Sequence, residues 1–238
     1  MSSERKFADN PSGVRLVRSP TARRLRLRVD RRTGAVLLTI PRRYSERKAL
    51  AWAGEHQDWI EKQLAAVAPP ERLAPGTLLP LHGLPRRIDW SAGRPRTVKV
   101  EPDRLVVGGP EENLEARLLR WLKRHAAEIL TAETHEYAAK ADAACARVAV
   151  GDPLSRWGSC SSAGAIRYSW RLILAPDWVR RATVAHEVAH LVHMNHGPDF
   201  HALVEHLLGA DPKPARSWLR SSGPLLHRFG RIRAPLPG

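Results

Sequence analysis

The sequence predicts an α+β fold, and two patterns carry that prediction. Short stretches in which apolar and polar residues alternate cluster between residues 14 and 110, and alternation is the period of a half-buried strand. Longer stretches with apolar residues three and four apart take over from residue 112, the period of an amphipathic helix. The chain therefore reads as a disordered polar leader over 1–13, a β-rich N-terminal region with one helix over 14–110, a second domain over 111–225, and a mobile basic tail over 226–238. A length of 238 residues with 43% hydrophobic content suffices for one or two domains with a sizeable core.

In the first region, Val14, Leu16, Leu25, Leu27 and Val29 face one way and Arg24, Arg26 and Arg28 the other, and Val36, Leu38 and Ile40 repeat the alternation. These read as antiparallel strands over 14–18, 23–29 and 35–40, one face buried and one arginine-rich. Pro41 ends the third strand. Ser45 then caps a helix over 46–67 with an apolar stripe of Leu50, Trp52, Ala53, Trp59, Ile60 and Leu64, which Pro69 and Pro70 stop. Further short strands are expected over 78–81, 84–90, 97–101 and 104–107, with His82-Gly83 as a turn.

The longest helical pattern covers 112–140, with Leu114, Leu118, Leu122, Ile129 and Tyr137 in step. His125 and His135 lie on it outside any metal-ligand spacing and read as satisfied or exposed side chains. A strand is expected over 146–150. Residues 155–162 form a glycine-containing turn anchored by Trp157, and the absence of Gly-x-Ser-x-Gly argues against a serine nucleophile there. It leads into a hairpin of 165–169 and 171–175. Asp177 is expected to cap the next helix, with Trp178 opening its apolar face. Asp199 should cap another, bearing Phe200, Leu203, Val204 and Leu207, and a short helix covers 215–221.

The chemistry concentrates in residues 183–201. His186, Glu187 and His190 form H-E-x-x-H. At 3.6 residues per turn the two histidines project from nearly one azimuth and can share an ion at about 2.0–2.1 Å. Glu187 sits at the flank of that stripe, where a carboxylate reaches a metal-held water without displacing it. The apolar frame Val184, Val188, Leu191 and Val192 buries the helix, and an ionisable Glu187 there is costly unless used or paired.

A catalytic zinc takes a third protein ligand, and His193, His196, His201, Glu205 and His206 follow. Three histidines stacked along a straight helix span about 10 Å, which excludes His193. The chain must turn back, and Asn195-His196-Gly197-Pro198 allows it, through residues that tolerate left-handed dihedrals and a proline that cannot continue the helix. His196 is the third ligand on this reading, with Glu205 in reserve. The spacing equals that of metzincins, with His193 where those have glycine.

Arg156-Trp157-Gly158-Ser159-Cys160-Ser161, Trp170-Arg171-Leu172-Ile173-Leu174-Ala175-Pro176, His186-Glu187-x-x-His190-Leu191 and Asn195-His196 together resemble the YgjP-like metallopeptidase family. His196-Gly197-Pro198-Asp199-Phe200 is also similar to the SprT/Spartan proteases. The resemblance covers roughly residues 14–222. It implies a zincin-like metallopeptidase domain over 111–225 beside a small β-rich unit, one Zn²⁺ per chain on His186, His190 and His196, and Glu187 as catalytic acid/base. In zincins an edge strand beside the active-site helix pairs with extended substrate, which places substrate contacts in 156–171, with Arg156, Trp157 and Tyr168 as candidates. Tyr168, Arg156 and His201 are candidates for stabilising an oxyanion.

Composition bounds the partners. The 39 Lys and Arg against 24 Asp and Glu give a net charge of +15, which favours polyanions such as nucleic acid or ribosomes. The arginine-rich strands are the candidate surface, although a solvated outer face has the same pattern. No apolar run approaches the ~20 residues of a membrane span, the N-terminus lacks an apolar signal core, and the two cysteines, Cys145 and Cys160, suit reduced thiols. The expectation is a cytoplasmic zinc peptidase acting on peptide or protein. Its rivals are a nucleic-acid- or ribosome-bound protein with a structural or inactive zinc site, and a DNA-recruited SprT-like protease.

Overall fold

The computed structural model describes residues 13–30, 34–65, 69–153 and 155–230. The expected leader up to residue 12 and the expected tail beyond Gly230 lie outside the described residues. The fold is mixed α+β, and the chain divides into two compact units between Pro70 and Glu71. That division replaces the boundary expected near residue 110. The strands of 78–108 share their core with the long helix that follows, and a shared core is what defines a unit.

In the first unit, β1 (Val14–Ser19), β2 (Arg26–Val29) and β3 (Val36–Pro41) form a sheet in the order β1-β3-β2. β2 runs antiparallel to β3, but β1 is parallel to it, correcting the all-antiparallel expectation. Alternation sets which face is buried; it does not encode strand direction. Val14, Val36, Leu38 and Ile40 pack against Ala49, Ala53 and Ile60 of the two helices.

The single helix expected over 46–67 is two, α1 (Glu46–Gly54) and α2 (Gln57–Ala65). At Gly54-Glu55-His56 the His56 amide bonds Ala53 O at 3.1 Å. The His56 ring donates from Nδ1 to the Trp52 carbonyl at 2.8 Å, taking the acceptor that a continuous helix would use. The stripe is broken accordingly. Trp59 and Leu64, expected in the core, are 40% and 36% exposed.

The second unit opens with β4 (Leu78–Leu81), β5 (Leu84–Ser91), β6 (Lys99–Val100) and β7 (Arg104–Gly108) in the order β4-β5-β7-β6. Helix α3 (Leu114–Lys140) presents Leu114, Leu118, Leu122, Ala126 and Leu130, four apart, to the common core. A second sheet, β8-β10-β9, joins β8 (Arg147–Gly151), β9 (Gly158–Cys160) and β10 (Ala165–Ser169), with β9 at its edge.

Residues 170–174, expected as a strand from 171, form a 3₁₀ turn. Ser169 Oγ accepts from the Arg171 amide, and Leu172, Ile173 and Leu174 are all fully buried. A short continuous apolar run fits either conformation, and the cap decides it.

Helix α4 (Asp177–Ala189) follows, then α5 (Pro198–Leu208), α6 (Lys213–Ser221) and α7 (Gly223–Leu226). Neither Asp177 nor Asp199 caps its helix. Both sit in the first turn, and the Asp177 carboxylate accepts from Arg180 instead. Trp178 and Val192, expected in the apolar frame, are 49% and 47% exposed. What buries α4 is Val179, Ala182, Val184, Ala185 and Val188, together with Arg180, which donates from Nε and Nη2 to the buried Glu133 carboxylate. The expected tail begins too early: Phe229 is 1% exposed and bridges Glu71, and Arg171 donates to its carbonyl at 2.9 Å. No helix among the described residues is long and apolar enough to cross a membrane.

Candidate metal centre

α4 ends on its second motif histidine. His190 is the C-cap residue, one turn beyond His186, and His196 stands in the loop before α5. That loop reverses with Gly197 extended (φ −79°, ψ −178°), and neither His193 nor Asn195 has positive φ. The left-handed turn expected at Asn195-Gly197 is therefore not used. A glycine at position 193 is not required either, which accounts for His193 in this spacing.

The imidazole nitrogens of His186, His190 and His196 can be chosen so that all lie within 4.8 Å of one another. His186 Nε2 and His196 Nε2 are 3.3 Å apart. Two ligands on a tetrahedral ion with bonds of about 2.0–2.1 Å stand about 3.3–3.4 Å apart, so the spacing fits. His190 Nδ1 is 3.1 Å from the His193 carbonyl. A carbonyl only accepts, so Nδ1 carries a proton and Nε2 is the nitrogen of this ring left to face a metal. His193 thus contributes a backbone acceptor, and among the described residues its ring is not in the three-histidine group.

Phe200, fully buried, packs against all three rings with centroid distances of 5.0, 4.6 and 4.6 Å. Its ring forms an apolar wall behind the histidines. Burial holds the His186 imidazole down at about 4, helped by the neighbouring rings and the Arg216 charge, and lowers His196 in the same way. Neutral imidazoles are the form that ligates a metal.

Glu187 is 6% exposed, and desolvation pushes its carboxyl up to about 7 while Arg156 pulls it back. It stands against β9. A side-chain carbon built on Gly158 would lie 2.5 Å from Glu187 Cγ and Oε1, so the carboxyl occupies the space a side chain would take. Among the described residues β9 is bonded on one side only, to β10 through Gly158↔Tyr168, Ser159↔Arg167 and Cys160↔Ile166.

The remaining expected site residues separate. Arg156 is exposed and acts on Glu187 through its charge. Trp157 packs on Gly223 and lies 5.3 Å from the His227 ring, tying the loop to α7. Tyr168 has no exposed surface, and its hydroxyl bonds Thr134 Oγ1 at 3.0 Å, a core position closed to substrate. His201 is exposed, 6.3 Å from His196 between centroids. Among the described residues neither Glu205 nor His206 joins the three-histidine group. Gly158, Phe200 as a wall and Arg216 escaped sequence reasoning. Only Gly158 had a visible sign, a glycine beside a Trp anchor.

Three imidazoles around one point, with a buried carboxyl beside them, define a metal-dependent hydrolytic class of site. Residues 23–222 match the family model of the YgjP-like, metallopeptidase domain, and the chain belongs to that family. No curated protein and no solved structure matches the sequence.

Proposed function

We propose that this protein is a zinc-dependent peptidase of the zincin type, with His186, His190 and His196 as metal ligands and Glu187 as general base. The observation that carries the reading is a buried carboxyl one residue from a ligand, on a helix whose two histidines meet a third from the following loop. A purely structural zinc site closes with four ligands and has no use for a base. Here no fourth histidine, cysteine or carboxylate joins the group among the described residues.

Zinc, when bound, acidifies water and polarises a carbonyl. Glu187 takes a proton from the attacking water as oxygen bonds the scissile carbon, and passes it to the amine nitrogen as the C–N bond breaks. Its burial supports that cycle, because a carboxyl with a raised pKa both accepts and returns a proton near neutral pH. The edge of β9, without a strand partner among the described residues, lies beside Glu187 and supports an extended peptide binding there by strand addition.

Metal content and peptidase turnover of purified protein test the reading. Glu187→Gln should keep one zinc per chain and lose about 10²–10⁴-fold in rate. His196→Ala should lose zinc and activity together. Wild-type turnover in Glu187→Gln would sink the proposal.

A second reading concerns recruitment. Arg15, Arg26 and Arg28 are exposed, and the registers Arg15↔Leu37, Arg28↔Leu37 and Arg26↔Thr39 put them on one sheet face. This basic face would bring the peptidase to nucleic acid and so to proteins bound there.

A further inference from the structure

Two half-buried imidazoles face each other away from the His186 cluster. His82, in the turn between β4 and β5, has Nε2 at 3.4 Å from Nε2 of His125 on α3, with side chains 21% and 24% exposed. Hydrogen bonds from N–H donors to oxygen run about 2.7–3.2 Å, so this is a long contact for one. It is the separation that bonds of about 2.0–2.1 Å at a tetrahedral angle leave between two ligands, about 3.3–3.4 Å. The His186–His196 pair stands at 3.3 Å.

The far nitrogens of both rings face carboxylates. His82 Nδ1 is 3.1 Å from Asp177 Oδ1, and His125 Nδ1 is 3.8 Å from Glu128 Oε2. Metal-ligating histidines characteristically give their other N–H to a carboxylate, which fixes the tautomer and raises ligand basicity. His82 Nδ1 also lies 2.9 Å from Arg180 Nη1, which only donates. His82 therefore either gives a proton to Asp177 or accepts one from Arg180. A cation at Nε2 selects the first state, and Arg180 keeps Asp177 at 2.6 Å and Glu133 at 2.8 Å as acceptors.

Both rings are held in place. Trp121 stacks on His125 at 4.9 Å and 17°. His82 and Gly83 have φ of 55° and 76°, a two-residue turn in which asparagine or glycine is usual at the first position. A histidine kept in a left-handed conformation is a cue to a role for its side chain. The turn is fixed by its amides, which donate to Ile173 O at 2.8 Å and Leu174 O at 3.2 Å.

We propose that His82 and His125 form a second transition-metal site, which takes Zn²⁺ or Cu²⁺ through the two Nε2 atoms with water completing the shell. Imidazole donors select these ions over magnesium or calcium. Burial lowers both histidines below their ordinary value, so both are neutral and ready to ligate at neutral pH. With two protein ligands, this is the weaker of the two sites, and its occupancy follows the free metal concentration.

Equilibrium dialysis of the full chain against Zn²⁺, with metal counted per chain, tests the proposal. Wild type should bind two equivalents, the second more weakly. His82→Asn removes the ligand yet suits the left-handed turn, and His125→Phe keeps a ring on Trp121. Each should weaken the second equivalent about tenfold or more and leave the first unchanged. The double variant His186→Ala/His190→Ala should lose the first equivalent and keep the second, which separates this proposal from the peptidase reading. A wild type that binds one equivalent and keeps it in His82→Asn and His125→Phe, or a second equivalent undiminished in those variants, overturns it.

Discussion

A methyl group added at Gly158 would stand 2.5 Å from the Glu187 carboxyl, nearer than non-bonded carbons approach at about 3.5–4.0 Å. Gly158→Ala must therefore shift β9 or rotate Glu187 away from the histidines. The expected cost is about 1–3 kcal/mol of stability, the usual range for overpacking. On the peptidase reading, turnover should fall at least tenfold while zinc content stays the same, as read by metal analysis beside a rate assay. Unchanged turnover would show that the carboxyl does not need this position. His190 illustrates the same dependence at one atom: the His193 carbonyl sets which of its nitrogens is free. His193 thus acts on the His190 ring through its backbone carbonyl.

Among the elements, α4 connects most of the chemistry. Its first turn holds Asp177 and Arg180 against His82, and its last turn presents His186 and His190. Burial, chiefly, lowers His82 and His125; Arg180 adds to the effect on His82, while Asp177 and Glu128 oppose it. Folding therefore favours the neutral rings. As pH falls below the unfolded value of about 6.5, the unfolded chain takes up protons that the native state still refuses. The stability contributed by these groups is complete above that pH and is lost on moving down towards the lower folded values. Urea titrations in the presence of a chelator should show stability declining with acidity from about pH 6.5, with a shallower decline in His82→Asn and His125→Phe. A steeper decline in those variants would contradict the assignment. Elements also mark where local patterns are ambiguous: α1 and α2 part where His56 takes the Trp52 carbonyl, and residues 170–174 coil because Ser169 caps them.

For the whole molecule, the net charge of +15 gives the recruitment reading a measurable form. Replacing Arg15, Arg26 and Arg28 by Ala should weaken DNA binding across sequences and reduce the slope of log K against log salt by about 1 per arginine. Binding that is absent at low salt in wild type would remove that reading and leave peptidase chemistry untouched. The division after Pro70 also belongs to this scale, because the strands of 78–108 read like those of the first region but complete the core around α3.

The sequence by itself determined the helices with strong periodicity, the H-E-x-x-H pair one turn apart, and the place where the chain leaves that helix and reverses at His196, though not the dihedrals of the reversal. Spacing along one helix and the termination of that helix are local properties, and local residues encode them. Only the tertiary structure decided that β1 runs parallel to β3, that Tyr168 is spent on Thr134, that Gly158 makes room for Glu187, and that His82 meets His125. Each of these is a contact between residues distant in sequence. Its energy comes from packing, desolvation and hydrogen bonding between separate elements, and no period or motif within either element specifies which partner will be there.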